Sequence, residues 1–337
     1  MIRLLVVDDS AVMRQAMIAI GRGAGDIDVT VAADPLIAQS KIEREPFDVV
    51  LLDVEMPRMD GLTYLRKLMS ERPLPVIVCS ALAGRGTEVA LRALEEGAVD
   101  VVEKPRIALH EFLAESNMRL LDVIRAAAAA RLRRRARLPV NALPMPLRRT
   151  TEKIVAIGAS TGGTEALREI LEAMPAGAPG MVIVQHMPEL FTAAFARRLN
   201  ETCRIQVKEA ADGDRVIAGR ALIAPGNRHV LVRRDGAQYR VHLNDGPLVS
   251  RHRPSVDVLF QSVAHAAGAN AIGVILTGMG SDGAAGLMDM HDAGAVTLAQ
   301  DESTSVVFGM PGAAIAKGAV RFIHPLPSIA AAILSHG

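Results

Sequence analysis

The sequence predicts an α/β protein in two domains, each a parallel sheet covered by helices. Three observations carry this. The chain has 337 residues, half of them apolar, which is enough to bury more than one core. Short apolar runs alternate with segments whose apolar residues recur at helical spacing, the pattern of βα units. That alternation stops at 126–151, where three prolines and the charge run "RLRRRAR" lack apolar periodicity and read as a linker.

The bulk numbers exclude several classes. A formal net charge of +1 offers no global field for nucleic acid, and the basic run reads as a solvated linker face, so no nucleic-acid partner is expected. Cys79 and Cys203 are too few to staple a secreted fold and fit no metal-ligand spacing. The opening "MIRLLVVDDS" reaches two carboxylates too early for a signal-peptide core, and no run approaches the roughly 18 apolar residues of a membrane span. A cytoplasmic protein without direct membrane insertion is expected.

In order along the first domain, the strand-like runs are "RLLVVD", "DVVLLD", "PVIVCS" and "DVVEK". Open parallel sheets bind ligands beyond the carboxyl ends of their strands, and the unusual polar residues fall there. Asp8 and Asp9 close the first run, Asp53 the second, Ser80 the third and Lys104 the last. Converging carboxylates repel one another unless a hard divalent cation joins them, and oxygen ligands without His or Cys suit Mg²⁺. Asp53 is the best placed to accept a phosphoryl group, with Lys104 and Ser80 holding its oxygens. Taken singly, a residue of this kind at a strand end is most often a cap or turn residue, but together, at successive strand ends, they are hard to explain that way.

The stretches "VVDDS", "LLDVEMPRMDG", "CSA" and "EKP" resemble the receiver domain of two-component response regulators. The resemblance implies a five-stranded doubly wound fold over 1–125 and phosphorylation of Asp53 by the histidine kinase of a signalling system. It also implies Mg²⁺ held by Asp9, Asp53 and the carbonyl of Glu55, with Asp8 assisting. One position departs from the pattern: Val101 stands where many receivers carry an aromatic switch residue.

From Lys153 the βα alternation resumes with "KIVAIGA", "MVIVQHM", "ANAIGVILTG" and "GAVTLAQ", interrupted by "HVLVRRDGAQYRVHL", where Asp235-Gly236 signals a hairpin. Ser160 follows the first of these strands and opens a helical pattern. Alone it reads as an N-cap, but Gly158, Gly162 and Gly163 clear space around it, and the motif is not the G-x-S-x-G elbow. His186 closes the next strand and Asp282 lies just past another. Ser, His and Asp at three strand ends of one sheet can form a relay in which Asp orients His and His takes the proton of Ser. A rival reading uses the same loop, since Gly278 to Gly283 satisfies G-x-G-x-x-G with Asp301 about 20 residues on. Asp282 would then sit among the amides meant to cradle a pyrophosphate, and too little chain follows Asp301 for a second mononucleotide half.

The motifs "IGASTGG", "VIVQHM", "APGNRHVLV", "HRPSVDVLF" and "LTGMGSDGAAGL" resemble the catalytic domain of the CheB family of chemotaxis protein-glutamate methylesterases. The resemblance implies that Ser160 is nucleophile, His186 general base and Asp282 its orienting partner, with Thr161 and Met279 at the oxyanion hole and no cofactor in the esterase site. It implies methyl-accepting chemoreceptors as substrate, and leaves glutamine deamidation open. A receiver joined to a non-enzymatic binding module is the alternative. The expected architecture is a doubly wound receiver (1–125), a linker (126–151) and a doubly wound parallel-sheet catalytic domain with an antiparallel hairpin (152–337).

Overall fold

The computed structural model describes residues 1–56, 61–80, 85–104, 112–131 and 153–337. They fall into two compact units, Met1–Arg133 and Arg134–Gly337.

The first unit alternates β1 (Ile2–Val7), α1 (Ala11–Ala24), β2 (Ile27–Ala32), α2 (Pro35–Arg44), β3 (Val49–Asp53), α3 (Gly61–Glu71), β4 (Val76–Ser80), α4 (Arg85–Glu95), β5 (Asp100–Glu103) and α5 (Phe112–Ala128). The helix starts are written in the sequence. Ser10 and Asp34 cap α1 and α2 by accepting from the Met13 and Ile37 amides, and Pro35 opens α2 where no donor is needed. Strands β3 and β4 are buried along their whole length, as strands covered on both faces must be. The five strands pair in parallel in the order β2-β1-β3-β4-β5, so the order reverses between β1 and β3 and leaves a crevice there. Val7 is level with Leu52 in the register, which brings Asp8 level with Asp53. Helix α5 runs through Ala128, three residues into the stretch expected to be linker, because Ala126 and Ala127 are good helix formers that pack into the core. Residues 132–152, with nearly all of the basic run, lie outside the described residues.

The second unit contains β6 (Ile154–Ala159), α6 (Gly163–Ala173), β7 (Gly180–Gln185), α7 (Glu189–Thr202), β8 (Gln206–Glu209), β9 (Arg215–Val216), β10 (Arg220–Ile223), β11 (His229–Asp235), β12 (Gln238–Asn244), α8 (Val256–Ala267), β13 (Ala271–Ile275), α9 (Ala284–Asp292), β14 (Val296–Gln300), α10 (Met310–Ala316), β15 (Phe322–His324) and α11 (Leu326–His336). Seven strands form one sheet, β15-β14-β13-β6-β7-β10-β8, in which every pairing is parallel. The first strand, β6, lies centrally between β7 and β13. Helix α8 packs directly on it: a Cβ on Gly158 would come within 2.2 Å of Val256 Cγ1.

The hairpin β11–β12, joined by β9, makes a small antiparallel sheet. Its two loop residues are Gly236-Ala237 rather than Asp235-Gly236. Asp235 stays in the ladder opposite Gln238 and receives Arg240 Nε at 2.8 Å, and Gly236 takes the positive φ of 59° as the first residue of a two-residue loop. Among the described residues, no helix is long and apolar enough to cross a membrane.

Candidate functional site

Two strand-end clusters stand out. In the first unit, the ligand oxygens of Asp8, Asp9 and Asp53 lie within 4.8 Å of one another. Lys104 Nζ reaches Asp53 Oδ2 at 2.6 Å and Asp8 Oδ2 at 3.3 Å. Asp53 Oδ1 accepts from the Glu55 amide at 2.9 Å, and Ser80 Oγ donates to Glu55 Oε1 at 3.3 Å. Asp8, Asp53 and Ser80 are buried, whereas Asp9 is exposed. Burial pushes the Asp8 carboxyl above the ordinary carboxylate value, against the Ser10 amide and Lys104. Burial works the other way on Lys104, but the hydrogen bond and charge of Asp53 outweigh it and hold the ammonium above its usual value. An all-oxygen acidic cluster of this kind is typical of Mg²⁺ binding in receiver domains. Val101 is buried in β5, packed as core.

In the second unit the register does the assembling. Ala159 pairs with Gln185 across β6 and β7, so Ser160 and His186, one residue further on each, emerge side by side. Gly278, past β13 on the other flank, comes so close that a Cβ there would meet Ser160 Cβ at 2.7 Å. Ser160 is not the N-cap of α6. The helix begins at Gly163 with Gly162 as its cap, at φ 77° and with no side-chain cap bond. Among the described residues no hydrogen bond engages the Ser160 hydroxyl.

Asp282 Oδ2 lies 2.8 Å from His186 Nε2, with both side chains buried. The same carboxylate sits on the N-terminus of α8, accepting from Ser255 Oγ at 2.7 Å, the Val256 amide at 2.8 Å and the Asp257 amide at 3.1 Å. Burial alone would raise the Asp282 pKa. The His186 hydrogen bond and charge, then Ser255 and the Val256 amide, outweigh it and hold the carboxyl well below the ordinary range. An ionised Asp282 can only accept, so His186 Nε2 is the donor in this bond and Nδ1 is the ring nitrogen left for proton exchange. That Nδ1 is buried and has no hydrogen-bond partner.

Two backbone amides nearby are held by their own peptide planes. A trans peptide sets its N–H opposite its C=O. The Ser160 carbonyl is pinned by Gln185 Nε2 at 2.9 Å and the Gly163 amide at 2.7 Å, which fixes the N–H of Thr161. The Gly278 carbonyl accepts from the Gly309 and Met310 amides at 3.0 and 2.8 Å, which fixes the N–H of Met279.

Three participants were missed in the sequence. His252 stacks on His186 with ring centroids 3.7 Å apart and planes 4° from parallel. Ser255 holds the carboxylate of Asp282. Gln185 ties the carbonyls of Ser160 and His186, at 2.9 and 3.1 Å. The available signals were a buried-strand pattern ending in glutamine and the polar run "HRPS" before a helix. The dinucleotide alternative loses its loop, because Asp282 turns onto His186 and α8, and Asp301 caps its own turn through Ser303 and Thr304.

Residues 155–333 match the protein-family description CheB methylesterase, and residues 4–114 match Response regulator receiver domain. A relative from Anaeromyxobacter dehalogenans, named protein-glutamate methylesterase/protein-glutamine glutaminase 5, is 58% identical over 97% of this chain and 94% of its own. One from Rhodospirillum rubrum with the same double name, numbered 2, is 56% identical over 100% and 98%. The crystal structure of the Thermotoga maritima CheB methylesterase catalytic domain is 36% identical and superposes with a TM-score of 0.54, covering 55% of this chain and 99% of that one. With a catalytic-domain match over more than half its length and relatives above half identity across nearly all of it, the chain belongs to the CheB methylesterase family and carries a response-regulator receiver ahead of the esterase domain.

Proposed function

We propose that the second unit hydrolyses glutamate γ-methyl esters on chemoreceptors, and the γ-amides of receptor glutamines, in the cytoplasm, at a rate set by phosphorylation of Asp53. The observation that carries this is the Asp282–His186 pair, held through Nε2 with Nδ1 unpartnered, at the strand end next to the one that carries Ser160.

Ser160 Oγ bonds to the γ-carbonyl carbon as its proton passes to His186 Nδ1, and the imidazolium formed is neutralised across the 2.8 Å bond to Asp282. The Thr161 and Met279 amides receive the developing oxyanion. His186 then returns the proton to the departing methoxide, or to the amide nitrogen, releasing methanol or ammonia and leaving an acyl-Ser160. Water, deprotonated by His186, attacks that ester and frees the glutamate side chain with Ser160 restored. The paired names of the relatives support both substrates.

In the receiver, Asp53 takes the phosphoryl group from a histidine kinase while Lys104 and Ser80 hold its oxygens. Mg²⁺ would be held by Asp9, Asp53 and the Glu55 carbonyl, with Asp8 assisting, and would supply charge neutralisation there. Receiver (1–125), linker (126–151) and esterase (152–337) are the domains this assigns. The test is methanol release from methylated receptor membranes. Its absence from a phosphorylated, folded preparation would favour a non-enzymatic binding module.

A further inference from the structure

Resting on this reading of the esterase site, we propose that His252 is a positioning residue that fixes the ring plane of His186. The pair Asp282–Nε2 anchors one edge of the His186 imidazole, while the opposite edge, Nδ1, has no partner. One hydrogen bond at one edge leaves the ring free to tilt about that contact, and a tilt turns Nδ1 relative to the strand end that carries Ser160. What restricts the tilt is a surface against the ring face. His252 supplies it, parallel within 4° at 3.7 Å.

His252 is itself held rigidly. Its Nδ1 donates to the Ser250 carbonyl at 2.7 Å, and its backbone pairs with Val249 in both directions, at 2.8 and 3.1 Å. The turn between them places two non-glycine residues, Ser250 and Arg251, at φ 51° and 66°, a conformation kept only where its surroundings over-determine it. Ser250 Oγ ties this turn to Asp257 in α8. Metal chelation by His186, His252 and Asp282 is the competing explanation for the cluster. It fits poorly, because parallel stacked rings cannot both aim an in-plane lone pair at one ion.

A ring on the face of His186 also offers π-density to the imidazolium formed during attack. The stack therefore acts on the two steps in which His186 takes a proton, attack by Ser160 and hydrolysis of the acyl-Ser160, and leaves receptor binding alone.

The experiment compares the full chain with His252→Phe, which keeps a ring but loses the hydrogen bond to Ser250, and His252→Asn, which keeps a donor there but loses the ring. His252→Ala and Ser160→Ala are run in parallel. The readouts are kcat and KM for methanol release, the rate of Ser160 phosphonylation by a small fluorophosphonate, and the melting temperature. We expect His252→Asn and His252→Ala to lose about tenfold to a hundredfold in kcat and in phosphonylation with KM nearly unchanged, a cost typical of misplacement, and His252→Phe to recover most of it. Wild-type rates in His252→Asn, a change in KM alone, or a His252→Phe rate no better than that of His252→Asn would overturn the proposal. A fully active Ser160→Ala would instead overturn the esterase reading itself.

Discussion

The side-chain amide of Gln185 donates to the carbonyl oxygen of Ser160 at 2.9 Å from inside a strand that is otherwise wholly apolar. Because that carbonyl shares a rigid plane with the Thr161 N–H, the contact fixes the direction of the donor that the proposed mechanism assigns to the oxyanion. Gln185→Leu removes it and leaves the His186 carbonyl without its Gln185 donor. The variant should lose about 1 to 3 kcal/mol of unfolding free energy, read by urea titration, and, on the proposed mechanism, about tenfold or more in kcat as the Thr161 N–H drifts.

Ser160→Ala should keep its melting temperature, since among the described residues no hydrogen bond to the hydroxyl is lost, and should lower methanol release by on the order of 10⁴-fold or more. A variant retaining a tenth of the activity in a clean preparation would refute the nucleophile assignment.

The depressed Asp282 pKa makes a signed prediction. Burial opposes the shift, while the His186 hydrogen bond and charge, Ser255 and the Val256 amide impose it. A lowered carboxyl contributes stability that is fully present above its unfolded value, about 3.9, and lost as pH falls through the folded value. Asp282→Asn should therefore be about 3 kcal/mol less stable than wild type at pH 7, and the gap should narrow below about pH 4 as the wild type alone loses this contribution. Urea unfolding at pH 7 and pH 3 measures it, and a constant gap would contradict it.

With Mg²⁺ and a small phosphodonor, the intact protein should acquire one base-labile phosphoryl group on Asp53, located by mass spectrometry, and its methanol release should rise. Asp53→Ala should show neither change. A label on another residue would refute the pocket.

Lys104 pairs with both Asp53 and Asp8 and offsets part of their repulsion, so stripping Mg²⁺ with a chelator should block phosphorylation and lower the receiver's unfolding midpoint only by the mass-action term of the lost ion. In Lys104→Ala the carboxylates face each other uncompensated. The variant should therefore bind Mg²⁺ more tightly than the wild type, and at one Mg²⁺ concentration, set tenfold above the variant's Kd, the ion should stabilise the variant by about 1.4 kcal/mol and the wild type by less.

Residues whose positions depend on local rules were legible in the sequence. Asp53, Ser80, Ser160 and His186 sit where a strand stops, and a parallel sheet gathers strand ends whatever joins them. The identity of what each side chain touches was less accessible. Ser255 and Asp257 meet Asp282 across more than 20 residues of chain, a distance no periodicity spans. His252 arrives on a turn with two non-glycine residues at positive φ, where the usual glycine or asparagine marker is missing. The hairpin turn was displaced by one residue because Asp-Gly looked like the loop, whereas Asp235 is held in the ladder by Arg240.

The segment from Val249 to Asp257 contributes both the ring that covers His186 and the donors that hold Asp282. Two supports delivered by one short stretch of chain are inherited together. Natural variation among relatives should exchange this stretch as a cassette, and an engineer retuning the esterase for another acyl group would transplant it whole, because a chimera with a junction inside it would mate one donor's ring with another's carboxylate clamp.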